Sequence, residues 1–301
     1  MKVWIPHTKG RDYLGELPDD TVVEVYRAGD SPPSDPASVD FWVPPFLAGG
    51  DVPRILREFS GLKVVQLLSA GAEVWVGKVP DGVVLCNAKG THTGVTAEWT
   101  VGAILADMRR FADSVRDQDR HEWRKHSTPT VTNRRVLVVG AGDIGEHTAR
   151  VLETLGAHVT RVARKAREGV HAIAELDELL PEADVVALTV PLTDQTRGMV
   201  DARFLSLMRD GSLLVNAARG PVVDTDALVA EGGRVRAFLD VTDPEPLPAG
   251  HPLWDVPGVT ITPHIGGSTD DLLEREYIPV GDQIRRLHAG EPLRNTVLGD
   301  Y

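Results

Sequence analysis

Cysteine is almost absent. Cys86 is the only one in 301 residues, which excludes an internal disulfide and any cysteine-based metal site. Long hydrophobic runs are missing too, since no stretch approaches the roughly 20 apolar residues that a membrane-crossing helix needs. There is no low-complexity tract and no repeat at solenoid periods. The N-terminal run Met1-Lys2-Val3-Trp4-Ile5-Pro6 meets its proline too early for a signal peptide and reads as a first strand. Positive charge is in deficit, with 32 Lys and Arg against 44 Asp and Glu and a formal net charge of -12. Such a surface repels polyanions and argues against nucleic-acid binding. These absences lead us to expect a cytoplasmic, metal-free protein that uses neither membrane nor nucleic acid.

What is present is an ordinary globular composition, 42% apolar and 25% charged, in a chain long enough for two domains. Residues 3–5, 21–26, 41–43, 64–68 and 83–86 read as strands. Punctuation such as Pro32-Pro33, Pro44-Pro45 and Gly49-Gly50 separates several of them. Residues 98–118 read as one amphipathic helix, with Val101, Ile104, Leu105, Met108, Phe111, Ala112 and Val115 at helical spacing. A second strand–helix series runs over residues 136–264, and residues 269–287 read as a last helix. The alternation implies α/β architecture with two doubly wound parallel sheets: a flavodoxin-like domain and a Rossmann domain, with a cleft between them. The expected division is 1–98 plus 268–301 for one domain and 99–267 for the other.

One turn carries chemistry. Val136-Leu137-Val138-Val139 runs directly into Gly140-Ala141-Gly142-Asp143-Ile144-Gly145, and Ile144, Thr148, Val151, Leu152 and Leu155 then form a helical stripe closed by Gly156. In this strand–turn–helix context Gly140 permits the tight turn, Gly142 lets backbone approach a pyrophosphate, and Gly145 allows close helix–strand packing. The helix N-terminus, with Asp143 and Ile144, offers N–H groups to phosphate. The following strand, residues 158–162, would end in Asp or Glu if it held the ribose hydroxyls of NAD. That position is Ala163, followed by Arg164, Lys165 and Arg167. Guanidinium pairs with a 2′-phosphate where carboxylate would repel it, so NADP(H) is preferred and NAD(H) stays possible.

Three further segments end strand-like runs: Val215-Asn216-Ala217-Ala218-Arg219-Gly220, Leu239-Asp240-Val241-Thr242-Asp243-Pro244-Glu245-Pro246 and Thr262-Pro263-His264-Ile265-Gly266-Gly267. Carboxyl ends of neighbouring strands lie along one edge of a doubly wound sheet, so an arginine, a carboxylate and an imidazole can reach one crevice. With the glycine turn ahead of them, these segments closely resemble the D-isomer-specific 2-hydroxyacid dehydrogenase family, which includes glyoxylate/hydroxypyruvate reductases, phosphoglycerate dehydrogenases, D-lactate dehydrogenases and formate dehydrogenase. Ser69-Ala70-Gly71-Ala72 and Ala97-Glu98-Trp99 extend the resemblance over nearly the whole chain.

The resemblance implies that His264 protonates a carbonyl oxygen as hydride arrives, and that Glu245 holds the imidazole and favours its charged form. It implies that Arg219 binds the substrate carboxylate, helped by the backbone N–H groups of Ala70 and Gly71. Asp240 would accept from the nicotinamide amide, with Ala217, Ala218, Pro191, Thr196, Gly266 and Gly267 lining the cofactor. The expected substrate is a small anionic 2-oxo acid, and the expected assembly is a homodimer built on the connector helix. Glu245 stands where formate dehydrogenases carry Gln, which disfavours formate oxidation. The alternatives are a phosphoglycerate-type dehydrogenase and a dinucleotide-sensing protein resembling the corepressors of this fold. The first needs a basic pocket that the apolar loop Val43-Pro44-Pro45-Phe46-Leu47 does not supply. His92, His121, His126 and His251 match no family position and read as polar or loop histidines. Cys86 reads as a small buried residue.

Overall fold

The computed structural model describes residues 1–27, 29–45 and 56–298. Phe46, Leu47, Gly49 and Gly50 of the anticipated apolar loop and turn lie outside the described residues. The chain packs as two units, Met1–His92 with Thr269–Tyr301, and Thr93–Ser268.

In the first unit, β1 (Lys2–Ile5), β2 (Val22–Val25), β3 (Phe41–Trp42), β4 (Val64–Gln66) and β5 (Val84–Cys86) form a parallel sheet in the order β2-β1-β3-β4-β5. That is the flavodoxin-like order. Alternating side chains feed two cores, as the period of a strand requires. Trp4, Trp42, Val65 and Leu85 pack with Phe59 and Trp75 on one face. Val3, Ile5, Phe41, Val64 and Cys86 pack on the other against Tyr277, Val280 and Ile284 of the C-terminal helix, Leu272–Ala289. Cys86 is buried there as the sequence suggested.

In the second unit, β6 (Arg135–Val139), β7 (His158–Ala163), β8 (His171–Ala172), β9 (Val185–Leu188), β10 (Leu213–Asn216), β11 (Arg236–Leu239) and β12 (Val259–Ile261) pair in parallel, in the order β12-β11-β10-β9-β6-β7-β8. Counted within the unit, the first strand is central and the chain winds outward on both sides, which is the Rossmann arrangement. Central β9 and β10 are buried along their whole length, so they read as continuous apolar runs rather than alternating ones.

The connector differs from its reading as one helix. Two helices are present, α1 (Thr93–Met108) and α2 (Phe111–Asp119). The break lies at Arg110, whose φ of 52° is left-handed and ends the helical hydrogen-bond ladder. The kink also turns the apolar stripe outward: Phe111 and Val115 are 57% and 58% exposed, while Val101, Ile104 and Met108 are buried. The helix begins at Thr93, ahead of the Ala97-Glu98-Trp99 start read from sequence, and α1 packs against α3 (Asp143–Thr154) through Val101, Ala103, Ile104 and Met108.

Candidate functional site

The glycine turn sits between β6 and α3, at the carboxyl end of the central strand. Gly140 has φ 115°, and a Cβ there would lie 2.6 Å from the Thr189 carbonyl carbon. A Cβ on Gly145 would lie 1.9 Å from the Gly140 carbonyl oxygen, so the helix approaches the strand as closely as backbone allows. Gly142 is different. It is the N-cap of α3, lacks a side-chain cap, and a Cβ there would meet nothing within 4 Å. The helix therefore begins with N–H groups its own side chains do not cap, behind a residue whose missing side chain leaves room for a phosphate. This cradle fits a dinucleotide. The helix closes in a Schellman motif, with Gly156 at φ 84° and the Ala157 N–H donating to the Leu152 carbonyl at 3.0 Å. Its packed face holds Gly145, Thr148, Ala149 and Leu152, whereas Val151 and Leu155, taken for part of the stripe, are half exposed.

Strand β7 ends at Ala163, and Arg164 and Lys165 follow it as exposed residues. Arg167 bends back: its Nη2 donates to the Ala141 carbonyl at 2.6 Å and lies 3.6 Å from Glu146. Positive charge is thus stationed beside the glycine turn despite the acidic surface. At the end of β9, Thr189 Oγ1 donates to the Gly140 carbonyl at 2.8 Å and closes the turn from the other side. Thr196 is buried, donates to the Pro191 carbonyl at 2.6 Å and accepts from the Thr193 N–H at 2.8 Å. It fixes the shape of the segment that exposes Pro191.

Neighbouring strands β10, β11 and β12 present the other residues. Asn216, wholly buried at the end of β10, accepts from the Ala218 N–H and donates to the Arg219 carbonyl, both at 3.0 Å. It shapes the turn through Ala217 and Ala218, and Arg219 Nη1 donates back to the Ala218 carbonyl at 2.8 Å. Sequence reasoning gave Asn216 no role. The available signal was an amide at the end of an otherwise apolar strand.

Asp240 follows β11 and is 5% exposed. Its Oδ1 accepts from Thr262 Oγ1 at 2.6 Å and the Ile265 N–H at 2.8 Å, while Oδ2 accepts from the Gly266 N–H at 2.7 Å. A Cβ on Gly266 would lie 2.8 Å from that same oxygen, which is why glycine stands there. Asp240 therefore clamps the loop that carries His264, and the Gly266 N–H is spent on this clamp. His264 sits in that loop at φ 54°, its N–H donating to the Asp240 carbonyl at 2.8 Å.

His264 Nδ1 lies 2.6 Å from Glu245 Oε1. Burial alone would raise the Glu245 carboxyl. The hydrogen bond and charge of His264, the Thr242 backbone and the Arg219 guanidinium outweigh it and hold Glu245 below the usual carboxylate range. Imidazole, its ionised partner and a cation acting on that partner thus occur together in the second unit. Ala70 and Gly71 belong to the first unit, in the turn after β4. His92, read as a polar or loop histidine, is half-buried, with Nε2 2.9 Å from the Leu68 carbonyl and 4.0 Å from Glu276. Among the described residues no His, Cys, Asp and Glu cluster could hold a metal ion, and no helix is long and apolar enough to cross a membrane.

Residues 101–266 match the model of the D-isomer specific 2-hydroxyacid dehydrogenase NAD binding domain. A glyoxylate/hydroxypyruvate reductase A from Photorhabdus laumondii is 30% identical, over 89% of this chain and 88% of its own. A D-3-phosphoglycerate dehydrogenase from Mycobacterium tuberculosis is 34% identical over 70% of this chain, but that match covers only 42% of its length. Among solved structures, a D-isomer specific 2-hydroxyacid dehydrogenase from Xanthobacter autotrophicus, in complex with NADPH, superposes with a TM-score of 0.85 at 30% identity, covering 99% of this chain and 98% of that one. The chain belongs to the D-isomer-specific 2-hydroxyacid dehydrogenases, oxidoreductases that act on CH–OH donors with a nicotinamide dinucleotide.

Proposed function

We propose that this protein is an NADP(H)-dependent, D-specific reductase of small 2-oxo acids, of the glyoxylate/hydroxypyruvate type. One observation carries the reading: an imidazole paired with an ionised carboxylate, with an arginine whose charge reaches that carboxylate, at the carboxyl ends of adjacent strands. The dinucleotide, when bound, supplies the hydride. Glu245 holds Nδ1 of His264, so the ring delivers its proton from Nε2 to the carbonyl oxygen as negative charge develops there. Arg219 binds the substrate carboxylate and draws electron density from the adjacent carbonyl. Ala70 and Gly71 add backbone donors to the same carboxylate. Asp240 holds the His264 loop and accepts from the cofactor amide.

Ala163, Arg164 and Lys165 support the phosphorylated cofactor. Among the described residues neither cation has an ion-pair partner, so both can turn to a 2′-phosphate. The exposed Phe111 and Val115 support a homodimer built on the connector, because a second copy would remove both from water. A panel of 2-oxo acids assayed with NADPH and NADH tests the proposal. Glyoxylate or hydroxypyruvate with NADPH should give the highest kcat/KM, and turnover confined to a phosphorylated substrate would favour the phosphoglycerate reading. Binding of NADPH without turnover of any 2-oxo acid would favour a sensor.

A further inference from the structure

Residues 68–71, the turn after β4, have every carbonyl tied back to their own unit. Leu68 accepts from His92 Nε2 at 2.9 Å, Ser69 from the Ala88 N–H at 2.8 Å, Ala70 from Asn87 Nδ2 at 2.8 Å, and Gly71 from Ser69 Oγ at 2.7 Å. These peptide bonds are trans. In a trans peptide the carbonyl of one residue and the N–H of the next point in opposite directions. Anchoring the Ser69 carbonyl therefore aims the Ala70 N–H the other way, and anchoring the Ala70 carbonyl does the same for the Gly71 N–H. The second anchor is a side chain, and it is itself held. Asn87 is 9% exposed, its Oδ1 accepts from the Lys89 N–H at 3.1 Å, and its own N–H donates to the Asn295 carbonyl at 3.1 Å. Asn295 Nδ2 also donates to the Lys89 carbonyl at 2.9 Å, so this exposed residue near the C-terminus grips both sides of Asn87. It does so at φ 53°, a conformation asparagine and glycine tolerate and β-branched residues resist.

We infer that Asn87 is a positioning residue that aims the Gly71 N–H at the substrate carboxylate, and that Asn295 keeps Asn87 in place. The inference rests on the substrate role given above to Ala70 and Gly71. It makes a segment far along the chain, outside the catalytic residues, part of what sets affinity for the 2-oxo acid.

The test measures KM for glyoxylate with NADPH, and the Kd of oxamate, an unreactive 2-oxo acid mimic, on the NADPH-loaded protein. Asn87→Ala should weaken both about tenfold, the effect of one hydrogen bond, while leaving the Kd of NADPH and kcat within about twofold. Asn295→Val should weaken both several-fold, and Asn295→Gly, which keeps the left-handed backbone, should restore most of the loss. Because the two residues act in series, the double variant Asn87→Ala/Asn295→Val should be no worse than Asn87→Ala alone. Unchanged glyoxylate KM and oxamate Kd in Asn87→Ala, additive losses in the double variant, or an equal loss of NADPH affinity would each overturn the inference. A wild-type protein that reduces no 2-oxo acid would sink the parent reading instead, and oxamate binding would then decide the inference alone.

Discussion

Replacing Glu276 by Gln should make the protein more stable at alkaline pH and leave it unchanged at acid pH. Glu276 lies on the C-terminal helix and is 5% exposed. Burial pushes its carboxyl from the usual 4.5 up to about 7, with the neighbouring Arg275 charge only partly opposing this. His92, 4.0 Å away, does not relieve it, because burial and then the same arginine lower the imidazole's proton affinity. A carboxyl whose folded value is raised binds its proton more tightly in the native state. Its contribution is therefore fully present below about pH 4.5 and lost as pH rises through about 7. The difference between 4.5 and about 7, at about 1.4 kcal/mol for each tenfold change in proton affinity, sets the loss near 3 kcal/mol. Urea unfolding of wild type and Glu276→Gln at pH 4 and pH 8 reads it directly, since carboxylates common to both chains cancel in the difference. The two should match at pH 4, and the variant should be more stable by up to about 3 kcal/mol at pH 8. An equal difference at both pH values would refute the reasoning.

Other outcomes follow from the site. His264→Ala should lower kcat for glyoxylate by about 10²–10⁴-fold, the usual worth of a positioned general acid, and a near-normal rate would remove it from the reaction. Arg164→Ala should reduce the ratio of kcat/KM for NADPH to that for NADH, and an unchanged ratio would overturn the cofactor assignment. Gly142→Ala should keep its Tm while weakening NADPH binding, because its Cβ would point into open space. Gly145→Ala should lose Tm as well, because its Cβ would collide with the Gly140 carbonyl. Equal Tm losses for the two would contradict the cradle.

Fold and site differed in how much the sequence disclosed. The α/β class, both parallel sheets and the glycine turn were legible, because strand runs and Gly140, Gly142 and Gly145 leave their physical demands in residue type. The pairing of His264 with Glu245 was legible only through the family resemblance. The connector was misread because its apolar spacing continues past Arg110, and spacing cannot register a left-handed residue. Val151 and Leu155 were placed on a packed stripe for the same reason: periodicity assigns a face but not what covers it. Three supporting polar residues, Asn87, Asn216 and Thr189, were missed, and Asp240 was read as a cofactor contact without its hold on the His264 loop. Asn87, Thr189 and Asp240 act through hydrogen bonds to backbone of distant segments, and a single sequence carries no mark of such partners, whereas Asn216 acts on the turn that follows it.

Loss of absorbance from NADPH in the presence of glyoxylate, with acetaldehyde as the control lacking a carboxylate, reports on the central claim most directly. The wild-type protein should consume NADPH in a one-to-one ratio with glycolate formed and should hardly use acetaldehyde, and Arg219→Ala should narrow that gap. Equal use of both compounds by the wild type, or no NADPH consumption with any 2-oxo acid, would contradict the account.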